Sequence, residues 1–182
     1  MLGTTKKHNT IMKNIEIRRD TIIDLMNFQL LYLNKLMENI PDERLYEKQL
    51  DGLNSAGWIL GHICVEANDV IKQLNRKESF EELDLNWEKW FKSSTGKIES
   101  INKLPNKAEL ITIVNERYIA LGKAYLNLTV EQQNSLHPSK FLREVLTTFD
   151  SWYAHHLTTH IAMHCGNIVV WKKVIGLPVN GF

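Results

Sequence analysis

The sequence predicts an all-α fold, a bundle of four long helices joined by long connections. Apolar residues recur at intervals of three and four residues in four separate stretches, the period of one helix face. No run alternates apolar and polar residues with the period of two that marks a half-buried strand. The two longest polar stretches between the periodic segments are long enough to carry the chain along the length of a bundle.

The first helix is read from Lys13 onward, through Ile15, Ile22, Leu25, Met26, Leu30, Leu33, Leu36, Met37 and Ile40, and is closed by Pro41. Residues 1–12, polar with Lys6, Lys7 and His8, lack the apolar core of a signal peptide and read as a flexible leader. A single domain then spans 13–182. After a polar stretch, Gly52, Asn54 and Ser55 supply loop and cap chemistry for a second helix running to about Asn75. Trp58, Ile59, Leu60, Ile63, Cys64 and Val65 leave its first half almost no polar face, which predicts burial; Glu66, Asp69, Lys72 and Gln73 make the rest amphipathic.

The connection from Arg76 to Pro105 sets Trp87, Trp90 and Phe91 among charges and reads as a crossover containing a short helix. Pro105 and Asn106 open a third helix, with Leu110, Ile113, Val114, Ile119, Leu121 and Tyr125 as its apolar positions and an end near Leu128. An irregular stretch with His137 and Pro138 follows. The last helix runs from about Asp150 to Ile175 and is stopped by Gly176 and Pro178.

Composition narrows the functional classes. Lys and Arg number 22 against 21 Asp and Glu, a net charge of +1, so no global field draws the chain to nucleic acid or to an anionic bilayer. No run approaches the roughly 18 apolar residues needed to span a membrane. A small-molecule substrate is the partner expected. At 182 residues the chain buries enough surface to fold without a structural metal, so any metal site serves function. The two cysteines, Cys64 and Cys165, lie in apolar stretches without CxxC spacing, which points to a reducing compartment and, by default, the cytoplasm.

Four of the seven histidines, His155, His156, His160 and His164, fall on the last helix. At about 100° per residue, His160 and His164 are separated by about 40° and one turn, so their rings can converge on one ion. His156 lies one turn back on the same stripe, and His155 points to a different side, toward solvent or an interface. Trp152, Ile161, Ile168, Val169 and Trp171 mark a core helix, where imidazoles buried without partners are costly. His62, on the apolar half of the second helix, supplies a third imidazole. Together His62, His160 and His164 form a three-histidine set that leaves coordination positions open, the arrangement of catalytic metal centres.

The same angles remove rivals. Cys64 lies about 160° from His62 and Cys165 about 100° from His164, so both read as core residues. Glu66 and Asp69 fall within about 40° of His62 on its helix and are candidates for a general base, for acceptors that orient a ligand, or for a ligand; the competing reading, slightly favoured, is a solvated polar stripe. Ile161 occupies the place where a zincin requires Glu, and no Glu-x-x-His pair of the ferritin-like di-iron type is present.

The run Gly57-Trp58-Ile59-Leu60-Gly61-His62-Ile63, with His160-Ile161-Ala162-Met163-His164-Cys165-Gly166-Asn167, resembles the DinB-like (YfiT-like) superfamily of metalloenzymes. There a histidine in a W-x-L-x-H pattern on the second helix joins an HxxxH pair on the fourth. The resemblance covers Lys13 to Pro178, and His62, His160 and His164 match the triad one by one. Cys165 and Asn167 depart from the Arg and Gln that commonly follow the pair. The resemblance implies an up-down-down-up four-helix bundle, homodimers, a zinc or nickel ion, and thiol-dependent chemistry of the transferase or isomerase type with a low-molecular-weight thiol. A metal-dependent transferase or hydrolase is the function expected. The alternative is a non-catalytic helical interaction or dimerisation module with a buried histidine network, in which Trp87, Trp90 and Phe91 form a partner surface; packing of those aromatics as a lid on the bundle is the preferred reading of them.

Overall fold

The structure, a computed structural model, describes the backbone of residues 2–73, 83–92, 103–137, 139–140 and 142–179, with the side chains of these except residues 2–17 and 85. Every regular element among the described residues is a helix, without a strand; an isolated bridge pairs Leu136 with Thr148. Helix α1 spans Leu2–Met37, α2 Ala56–Lys72, α3 Leu85–Phe91, α4 Lys107–Leu126, α5 Val130–Asn134, α6 Phe149–His155 and α7 Ile161–Val174. A π-helical turn, His156–His160, joins α6 to α7, so the last long helix is one rod with a wide turn inside it.

Local chemistry accounts for the boundaries. The Ser55 hydroxyl accepts from the Trp58 amide to cap α2, and Asn106 accepts from the Glu109 amide to cap α4. Thr148 and Ser151 cap each other's backbone at the start of α6, and Thr129 and Gln132 do the same for α5. Gly176, at φ 75°, takes the left-handed conformation that ends α7, a position a side chain would strain.

One expectation needs revision, and one falls outside the described residues. Helical backbone begins at Leu2, earlier than the Lys13 start read from the sequence. The predicted end of the second helix at Asn75 lies outside the described residues, and α2 is capped at Gln73.

The core is a contiguous apolar cluster. Leu33 and Met37 of α1, Leu60 and Ile63 of α2, Leu110 and Leu121 of α4, and Ile161 and Ile168 of α7 are all buried within it. α2 packs along α4 and against α3 and α7, while α1 packs against α7 and α4. Polar pins lock the helix ends. The buried Lys172 ammonium donates to the Leu36 carbonyl at 2.8 Å, and the Trp171 indole N–H donates to the Glu47 carbonyl at 2.8 Å. Burial pushes the Lys172 ammonium below its ordinary pKa. Trp87 and Phe91 are buried and Trp90 is half-buried, so the aromatics of the crossover pack onto the helices. That agrees with the lid and leaves those two rings unavailable as a partner surface.

Candidate metal centre

α2 is buried on nearly every side, which places His62 at 7% exposure in the middle of the helix. Its ring stacks on Trp58, one turn earlier, with centroids 5.2 Å apart and planes 8° from parallel. Its Nδ1 lies 2.9 Å from the Phe91 carbonyl. A carbonyl only accepts, so Nδ1 carries the proton and the lone pair resides on Nε2.

His160 and His164 come from the opposite wall, at the junction of the π turn and α7. Their Nε2 atoms lie 3.2 Å apart and their ring centroids 4.5 Å apart. The His62 ring sits 5.7 Å from that of His160 and 5.0 Å from that of His164. One nitrogen from each of the three histidines falls within 4.8 Å of the others, which brings together the predicted triad.

The donor set fits a divalent ion. Two imidazoles at zinc-ligand distances of about 2.0–2.1 Å, at tetrahedral to octahedral angles, hold their nitrogens about 2.9–3.4 Å apart, which brackets the observed separation of the Nε2 atoms. Burial and the neighbouring imidazoles push His160 down to about 2, and burial with His62 pushes His164 down to about 4, so both rings are neutral near pH 7 with a lone pair to offer. Their Nδ1 atoms have no hydrogen-bond partner among the described residues.

The π turn changes what surrounds the pair. Within it the Thr158 hydroxyl donates back to the Ala154 carbonyl at 2.6 Å, a bond that competes with the regular helical ladder. An i to i+5 step then replaces i to i+4, and the His155 ring arrives 5.9 Å from that of His160. This corrects the expectation that His155 faces another side, which assumed an unbroken α-helix. His156, buried, lies 5.2 Å from His160 and 4.4 Å from Trp152, and burial pushes it down to about 3. The buried His137 stacks on Trp152 with ring centroids 4.7 Å apart.

The carboxylates separate by environment. Glu66, one turn beyond His62, is raised above the ordinary carboxylate range by burial, against the opposing influence of His62. Asp69 is paired with Lys92 of the crossover at 3.2 Å, so its carboxylate is held away from free duty. Cys64 and Cys165 are buried apart from the cluster, and burial pushes the Cys165 thiol up to about 12 and Cys64 higher still. A cavity of about 330 Å³ beside α3 and α4, lined by Trp87, Glu109 and Arg117 among others, touches none of the three histidines.

Sequence reasoning missed two contributors, the Phe91 carbonyl and the ring of Trp58. The four-residue step from Trp58 to His62 on one helix face was the available signal for the stack. The carbonyl had none, because a backbone acceptor has no residue code.

No curated protein and no solved structure matches the chain. Residues 30–168, a span that holds all three histidines, match the family model described as the DinB superfamily. With a match over most of its length and the paired histidine helices in place, the chain belongs to the DinB superfamily.

Proposed function

We propose that the protein is a metal-dependent enzyme in which His62, His160 and His164 hold one zinc or nickel ion inside an up-down-down-up four-helix bundle. The observation that carries this reading is the convergence of three imidazole nitrogens within 4.8 Å, drawn from two separate helices. When bound there, a divalent ion supplies a water of lowered pKa or takes a thiol as thiolate, either of which is a nucleophile near pH 7.

The chain's own residues do the rest. Burial keeps His160 and His164 uncharged, so no proton competes for their lone pairs near neutrality. His62 is oriented from behind by Phe91. Glu66, its carboxyl raised by burial, is the group we assign to take or return a proton, whereas Asp69 anchors the crossover through Lys92. Transfer to or from a low-molecular-weight thiol, or hydrolysis, of a small-molecule substrate by a cytoplasmic homodimer is the activity that suits this arrangement within the family.

The alternative, a non-catalytic module with a buried histidine network, has less support. A self-sufficient network satisfies its members, yet His160 Nδ1, His164 Nδ1 and His156 Nε2 all lack partners among the described residues.

The test is metal content by elemental mass spectrometry on protein purified without an affinity metal, beside His62→Ala and His160→Ala. About one equivalent of zinc or nickel in the wild type, lost in both variants, is expected. A wild type that carries none and takes up none on addition overturns the reading.

A further inference from the structure

We infer that the crossover helix α3 is the positioning element of the centre: its last two carbonyls, with the notch at Gly61, fix the ring and tautomer of His62 so that Nε2 faces the ion. The inference rests on the metal reading above. It extends that reading to residues outside the ligand set, Trp58, Gly61, Trp90 and Phe91.

The carbonyls of the last turn of a helix have no partner within it. In α3 two successive ones are used outward. Trp90 accepts from the Trp58 indole N–H at 3.0 Å, and Phe91 accepts from His62 Nδ1 at 2.9 Å. Trp58 and His62 are one turn apart on α2 and stack in near-parallel planes, so a pair of adjacent acceptors meets a pair of stacked donors.

Gly61 allows this approach. A Cβ built there would lie 2.5 Å from Cγ of Phe91, inside contact distance and at the root of the ring, where rotation brings no relief. Ion pairs flank the contact, Lys92 with Asp69 at 3.2 Å and Lys72 with Glu88 at 3.6 Å. Each is exposed enough to add little alone, but both tie α3 to α2.

The consequence is chemical. A free neutral histidine ring can present either nitrogen, and in water it favours the tautomer with the proton on Nε2, the wrong one for a ligand that binds through that atom. The Phe91 carbonyl selects the other tautomer before any ion arrives. Groups behind a ligating histidine typically contribute 10–100-fold in metal affinity.

The experiment uses the full chain as apoprotein. Long-range ¹H–¹⁵N NMR of His62 is expected to report the proton on Nδ1 in the metal-free wild type. Zinc affinity, by competition with a chromophoric chelator, is expected to fall roughly 10–100-fold in Gly61→Ala, with loss of the single tautomer, and to fall less in Trp58→Phe. Should Gly61→Ala fail to fold, the wild-type tautomer and Trp58→Phe decide. An Nε2–H tautomer in the apo wild type overturns the inference, as do folded variants that keep wild-type tautomer and zinc affinity. A wild type with the Nδ1–H tautomer that takes up no zinc instead overturns the metal reading, so the two failures are distinct.

Discussion

The two walls of the histidine cluster are held in different ways. On the α2 wall, His62 has a carbonyl behind it, an indole alongside it and a glycine notch that seats its support. On the opposite wall, His160 and His164 face each other across 3.2 Å, and neither Nδ1 has a partner among the described residues. One wall is pre-organised by hydrogen bonds, which act whether or not an ion is present. The other is kept ready by burial, which makes protonation unfavourable but leaves polar atoms unsatisfied. An ion taken up by the facing Nε2 atoms would join the two walls without reaching those Nδ1 atoms.

Replacement of one imidazole on each wall tests this difference directly. His62→Leu and His160→Leu are both expected to abolish retained metal, a loss larger than the roughly 10–100-fold that removal of a supporting group costs. The metal-free proteins should then diverge in urea unfolding. His62→Leu leaves the Phe91 carbonyl without its donor and should cost about 1–3 kcal/mol. His160→Leu removes a half-buried ring whose Nδ1 has no partner among the described residues and should stay within about 1 kcal/mol of wild type. Equal destabilisation of the two metal-free variants would erase the distinction between the walls.

Acid probes burial without mutation of a ligand. In the folded chain His156 is pushed down to about 3, His160 to about 2 and His164 to about 4, all below the unfolded value of about 6.5. Below pH 6.5 the unfolded chain binds protons that the folded chain refuses until far lower pH. Stability is therefore full above about pH 6.5 and is lost progressively as pH falls toward the folded values, on the order of 1 kcal/mol per pH unit for each such ring. His156→Phe should remove one share of that slope, measured as the urea midpoint of the apoprotein between pH 7 and 5. An unchanged slope would mean that His156 gains its proton in the fold.

The site was legible in the sequence where it depends on regular α-helical angles or on capping chemistry. Ser55, Asn106 and Gly176 stand at the ends of their helices because the groups that satisfy those ends are side chains or a left-handed turn, both written in residue type. The His160 and His164 pair follows from one turn of α-helix, and the position of His62 on a buried helix from the apolar run around it. His155 was misread because the π turn adds a residue to one turn, and the Thr158 back-bond that accompanies it depends on a rotamer. Asp69 lies on the His62 face, as expected, but Lys92 reaches it from a segment distant in sequence. The seat of α3 on Gly61 is a contact between elements joined by a long connection, and nothing local foretells it.

Two glycines within helices place that seat on a scale. Gly61 and Gly166 both pay the conformational cost of glycine in a helix interior, so replacement by alanine should return about 0.5–1 kcal/mol at either position if nothing else changes. At Gly166 a Cβ meets nothing within 4 Å, and Gly166→Ala should raise the urea midpoint by that small amount. At Gly61 the Cβ would meet Phe91 at 2.5 Å, and overpacking of about 1–3 kcal/mol outweighs the gain, so Gly61→Ala should be less stable than wild type by up to about 2 kcal/mol. The sign is the informative part, because helix propensity acts equally on both. If Gly61→Ala gains stability as Gly166→Ala does, Phe91 does not press on α2, and the pre-organised wall loses the contact that sets it apart from the other.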